Sequence, residues 1–232
     1  GLIEFANRLL TFVLALIAAL TFFTILALGK KLWAGLFAPA LILVLGIPAQ
    51  AILGGFTVLT KLNPWLVGAH FVLSAYMIVM ATVLVTRALP KPVEASNALL
   101  RFNSFAIFKL GVISVLVGVL VTGAGPHSGD AQSIRNGLDL ELWQHIHSYP
   151  AYLTFAFVIF QTVILRMRDV SVPRSWQYRI NLILAATLLA QALIGVAQAR
   201  LGVPPTLVAL HMLGASILVS LFVFQWQAVH RK

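Results

Sequence analysis

The chain has 232 residues, 60% of them hydrophobic and only 9% charged, with a formal net charge of +10 and no cysteine. A soluble domain carries roughly a quarter charged residues, so this composition excludes one and points to a membrane protein. Disulfides, thiolate metal sites and cysteine nucleophiles are excluded too, and the basic residues sit in short gaps between apolar runs rather than in a wetted patch, which argues against nucleic acid.

A bilayer-spanning helix needs about 20 mostly apolar residues. Seven such runs follow in order, at 9–28, 36–55, 65–89, 105–123, 146–166, 180–199 and 206–228. The fold class expected is therefore an all-α polytopic membrane protein. Pro64 and Pro205 each stand just before a run, where a missing N–H costs a helix start nothing. Pro39 and Pro48 fall inside the second run and are expected to kink it. Gly54, Gly55, Gly111, Gly118, Gly195 and Gly214 let helices approach closely in lipid.

Orientation follows from Lys and Arg in alternate gaps. Lys30, Lys31, Arg87, Lys91, Arg101, Arg166, Arg168, Arg174, Arg179, Arg231 and Lys232 lie on one side; Arg8, Lys61, Arg135 and Arg200 lie on the other. The excess predicts an inside C-terminus and an outside Gly1. The one long outer gap, 125–144, carries Asp130, Asp139 and Glu141, and reads either as a cap over the outer face or as a solvated loop. The stretch 90–103 is the natural linker.

One stretch is stated twice. Gln50, Gly54, Pro64, Leu66, Val67 and His70 recur as Gln191, Gly195, Pro205, Leu207, Val208 and His211, all at an offset of 141 residues without a gap. The chain therefore reads as two structural halves, each with an equivalent histidine.

His70 and His211 both fall about six residues into a span that starts outside, roughly 9 Å below the helix end at 1.5 Å per residue. His147 lies at a similar depth in the fifth run. Ionisable groups in a membrane are functional candidates by default. Without cysteine or a carboxylate cluster, facing histidines on neighbouring helices suit haem iron best. The bland alternative is a buried histidine hydrogen-bonded between helices. His145 competes with His147 but points to the opposite face, and the repeat favours His147.

A fainter repeat precedes the first and fifth runs. Aligning Glu4–Asn7 with Gln144–His147 sets Glu4 against Gln144 and Asn7 against His147. The second half thus offers two histidines, His147 and His211, and the first offers His70 with Asn7 opposite. Two axial imidazoles make a closed haem suited to electron transfer; one leaves a coordination position open. Glu4 reads either as a proton-handling carboxylate or as an ion pair with Arg8 one turn on.

The segments IEFANRLLTF, QAILGG…NPWLVGAHF, VTGAGPH around His127 and the final TLVALHML resemble the haem A synthase family, over nearly the whole chain. The resemblance implies eight transmembrane helices in two pseudo-symmetric four-helix bundles. Here these would be an N-terminal half over 1–90, a linker at 91–104 and a C-terminal half over 105–232. It implies a haem b cofactor held by His147 and His211, a substrate haem O faced by His70, and Glu4 as the essential carboxylate beside it. Asn7 stands where many members have histidine, which puts bis-histidine ligation of the substrate haem in question; Arg8 would meet a haem propionate or anchor the interface.

A helix and an outer loop before Gly1, roughly 50 residues at membrane-span lengths, are also implied. So are haem O synthase and cytochrome c oxidase assembly factors as partners, with oligomerisation left open. The compact loops favour a bacterial plasma membrane. Two other readings compete: a bis-histidine b-type cytochrome moving electrons from quinol, and a haem-free assembly or transport protein with packing histidines. Internal repeats suit transporters, but transporter sites sit at the midplane rather than at one level near the surface.

Overall fold

The computed structural model describes the backbone of residues 2–29, 35–89, 96–126, 133–168 and 175–230, with side chains from residue 9 onward. It contains α1 (Leu2–Ala27), α2 (Phe37–Leu59), α3 (Pro64–Ala88), α4 (Ala98–Ala124), α5 (Leu140–Arg168), α6 (Trp176–Arg200) and α7 (Pro205–His230). Each expected run coincides with one helix, and all seven are long and apolar enough to cross a membrane. This is an all-helical integral membrane protein.

Polar caps carry several helices beyond their apolar runs. Asn97 accepts from the Leu100 N–H at 2.9 Å and starts α4 at Ala98, inside the stretch expected to be linker. Asp139 accepts from the Leu142 N–H at 2.7 Å, so α5 begins within the expected outer loop and one of that loop's acids is a helix cap. Ser175 does the same for α6 through the Tyr178 N–H at 3.1 Å. Such caps satisfy the orphan donors of a first turn. Helix α2 runs through Pro48 as a single element, with Pro39 in its first turn. Lys91, His127 and Asp130 lie outside the described residues.

The repeat extends to backbone hydrogen bonds. The α2–α3 turn closes with Leu62 N–H donating to Thr57 O at 2.7 Å, and the α6–α7 turn with Val203 N–H donating to Gln198 O at 2.8 Å. Leu62 and Val203 are left-handed, with φ of 59° and 58°. A six-to-one bond of this kind terminates a helix through the left-handed residue before the donor, here Lys61 and Gly202 with φ of 51° and 73°, and the donors themselves add a second left-handed residue. That conformation is rare for a bulky side chain and rarer for a β-branched one, yet both turns keep it. The same strained turn sets the entry of α3 and of α7, the two helices that carry His70 and His211.

Helices α4, α5, α6 and α7 pack in sequence and α7 returns to α4, which closes a four-helix ring. Helices α1, α2 and α3 form a row, and α3 docks on both α4 and α7. At that junction a Cβ on Gly68 would lie 2.8 Å from Val119 Cγ1, so the glycine is what admits the α4 side chain. Farther along, the Thr82 and Ser220 hydroxyls share a 2.9 Å hydrogen bond. Small residues and isolated hydroxyl bonds are how helices associate when the solvent is itself apolar.

The ring interior is layered. His147 and His211 occupy one end, and a layer including Ile107, Val158, Leu184, Leu218 and Phe222 lies beneath them. Next comes a polar layer with a buried amide from each of the four helices: Asn103, Gln161, Asn181 and Gln225, joined by Ser104. Asn103 donates to Gln161 Oε1 at 2.8 Å and to Phe157 O at 3.0 Å; Ser104 donates to Gln225 Oε1 at 3.0 Å. Leu100, Leu165 and Val229 close the far end. A polar layer in an apolar bundle fixes which helix faces which, because sliding would break its bonds.

Candidate functional site

Between the four ring helices and the first turns of α3, at the end where α5 and α7 begin, lies a cavity of about 540 Å³. Its wall is mostly apolar, with Phe71, Val119, Phe155, Leu188 and Phe222 among the lining, and its polar groups include His147, His211, Gln191, Ser114 and, toward the helix ends, Arg200. That size and lining match a site for a large planar ligand fixed by a few polar contacts.

The two histidine rings meet edge-on in the wall of this cavity. Their ring centroids are 6.2 Å apart with planes at 73°. Each ring leans on a glycine of the preceding helix: a Cβ on Gly118 of α4 would lie 3.0 Å from His147 Cε1, and one on Gly195 of α6 would lie 3.5 Å from His211 Cε1. The missing side chains make the cradles. The Nδ1 atoms of both rings are buried; that of His211 has no hydrogen-bond partner among the described residues, and that of His147 has only the approach of the Ser114 carbonyl, short of a well-formed bond.

His145 separates cleanly from His147. It is exposed on the rim, and its Nδ1 lies 2.8 Å from Glu141 O of its own helix. Two residues along a helix put the two rings on different faces, and the one that meets His211 is His147.

His70 on α3 has the same setting in the first half. A Cβ on Gly54 of α2 would lie 3.2 Å from its Cε1, and its Nδ1 is also buried without a partner among the described residues. Gln50, one turn before Gly54, donates to His70 O at 3.2 Å and to the Ser74 hydroxyl. Glu4, Asn7 and Arg8 fall in the first two turns of α1, and their side chains lie outside the described ones. The structure thus joins His147 with His211, and sets His70 apart in the row that docks on the ring.

Two features escaped the sequence. Gly118 does for His147 what Gly54 and Gly195 do for the repeated histidines, but Ser114 rather than glutamine stands one turn before it, so repeat matching passes it over. The amide layer was legible only as scattered Asn and Gln in apolar runs.

Residues 1–223 match the family model described as cytochrome oxidase assembly protein, COX15-CtaA. The chain belongs to the cytochrome oxidase assembly protein family. This is the haem A synthase family, whose work is haem A synthesis in the assembly of cytochrome oxidase. No curated protein matches the chain.

The residues present fit the iron porphyrin that the family implies. Among the described residues no three His, Asp or Glu side chains converge on a point that could hold a bare metal ion. Paired imidazoles instead suit an iron whose other ligands come from a macrocycle. The two glycine cradles, and a buried ring nitrogen on each histidine, are what fit His147 and His211 to hold such a group.

Proposed function

We propose that this chain is a haem A synthase, which oxidises one ring methyl of haem O to the formyl group of haem A. The observation that carries the proposal is the His147–His211 pair, 6.2 Å apart in the wall of a cavity and resting on Gly118 and Gly195. In this reading His147 and His211 hold a haem b cofactor through their Nε2 atoms. When bound, that haem supplies electron transfer, the chemistry of a bis-histidine site. His70 faces the substrate haem O in the N-terminal half, where Asn7 offers no second imidazole.

The chain's own groups divide the remaining work. The apolar lining of the ring cavity excludes water around the cofactor. Glu4, at the outer start of α1, exchanges protons beside the methyl carbon, whose four-electron oxidation to the formyl level draws on an external oxidant of the dioxygen or electron-acceptor class. Arg8, one turn on, meets a propionate. The N-terminal half spans 1–90 and the C-terminal half begins with α4 at Ala98, with the N-terminus outside and the C-terminus in the cytoplasm of a bacterium. Haem O synthase supplies the substrate, and cytochrome c oxidase assembly factors receive the product.

The test is expression of the full chain, together with a haem O-forming enzyme, in a bacterium that makes no haem A. Haem A in the membranes supports the reading. Haem O unchanged beside a well-folded, haem b-loaded protein would favour an electron-transfer cytochrome instead.

A further inference from the structure

All three cavity-level histidines share a second feature that neither the family nor the ligand assignment explains. Each rests on a glycine of the preceding helix, and one turn before each glycine stands a group able to accept a hydrogen bond. The sets are Gln50 and Gly54 under His70, Ser114 and Gly118 under His147, and Gln191 and Gly195 under His211. The backbone carbonyl of Ser114 faces the His147 ring. In the other two sets the position is glutamine, and both glutamines leave an unmatched oxygen. Gln50 Oε1 and Gln191 Oε1 are buried without a partner among the described residues, and so are His70 Nδ1 and His211 Nδ1. Each half therefore holds one orphan acceptor and one orphan ring nitrogen on adjacent helices.

Packing brings each glutamine amide to the turn that carries its histidine. Gln50 already donates through its amide nitrogen to His70 O at 3.2 Å, which also fixes which end of its amide is oxygen. In the second half Ser74 is replaced by Ala215 and Leu73 by Gly214, so the serine anchor is gone and a space opens. Gln191 fills that space: a Cβ on Gly214 would collide with its amide nitrogen. Gly214 lies one turn beyond His211 on the same face of α7, so the Gln191 amide lies within a turn of the imidazole.

We infer that Gln191 and Gln50 are positioning residues: each glutamine Oε1 accepts the Nδ1–H of His211 or His70 and so turns an unprotonated Nε2 toward the ligand. That bond satisfies two buried polar groups at once, each of which is otherwise left unmet at a cost. The same bond selects the tautomer, because an imidazole that donates from Nδ1 keeps its lone pair on Nε2. Partners of this kind also make a ligating imidazole more electron-donating. The inference rests on the haem reading only for what Nε2 meets; the tautomer belongs to the protein alone.

The experiment is nitrogen NMR of the full chain, stripped of haem and labelled at histidine nitrogens, in wild-type, Gln191→Met and Gln191→Glu forms. Haem content and reduction potential are measured on the same preparations before stripping. Wild-type His211 with a protonated Nδ1 and a free Nε2, lost in Gln191→Met and kept in Gln191→Glu, is the expected result. The potential should rise in Gln191→Met and fall back in Gln191→Glu, a pattern that loosened packing alone does not produce. A wild-type His211 protonated at Nε2, or a tautomer indifferent to Gln191→Met, overturns the inference even if haem b is present. A haem-free wild-type preparation with the expected tautomer sinks the haem reading and supports the glutamine–histidine pair.

Discussion

The His147 ring lies against Gly118 so closely that a Cβ there would stand 3.0 Å from its Cε1, whereas the equivalent distance from Gly195 to His211 is 3.5 Å. The two cradles of one cavity are therefore unequal, and the tighter one is on α4.

That inequality ranks three alanine substitutions. Gly195→Ala meets ordinary contact and should be nearly silent in haem retention. Gly54→Ala, at 3.2 Å, requires a small shift of His70. Gly118→Ala requires the His147 ring to give by the most of the three, and should lower haem content most. Haem per protein and thermal midpoints of the three purified variants check the order; a Gly195→Ala effect larger than that of Gly118→Ala contradicts it.

Ligand loss should follow the ring contact rather than proximity in sequence. His147→Ala or His211→Ala should reduce bound haem about tenfold or more, since even partners behind a ligand are worth 10–100-fold. His145→Ala should leave it unchanged, because that side chain is exposed and bonds back to Glu141 O. Haem-to-protein ratios by pyridine haemochrome decide the matter.

Much of this was legible in the sequence, and the reason is periodicity. Apolar runs long enough to span a bilayer have few alternatives, so all seven helices were found. The gap-free repeat then singled out Gln50, Gly54, His70 and their copies Gln191, Gly195 and His211. Helix starts were less legible: Asn97 and Asp139 cap α4 and α5 inside stretches whose polarity reads as loop. His147 could be preferred over His145 by alignment alone, but its partner His211 lies 64 residues away, and only packing brings the rings together. Gly118 was hidden because it has no glutamine before it.

The amide layer gives a stability prediction of two signs. Asn181 is 0% exposed and both its side-chain polar atoms lack partners among the described residues. Asn181→Leu removes that burden and should stabilise the protein by about 1–3 kcal/mol. Ser104→Ala removes the hydroxyl that donates to Gln225 Oε1, whose Nε2 is already unpartnered among the described residues, and should destabilise it by a similar amount. Thermal unfolding in detergent compares the two; equal signs contradict the account.

The docking of α3 on the ring should depend on Gly68. Gly68→Ala pushes on Val119, and Val119→Ala should restore room for it, so the double variant should be more stable than the sum of the singles predicts. A coupling of roughly 0.5–3 kcal/mol is the range for residues in contact. Additive effects contradict the proposed contact.

The most direct test of the central claim is mass analysis of the haems extracted from the purified full chain, alongside its reduced-minus-oxidised spectrum. The account predicts haem B together with haem O, a hydroxylated haem O or haem A, with haem B lost from His211→Ala. Haem B alone contradicts the synthase reading, and absence of any haem contradicts the cofactor site itself.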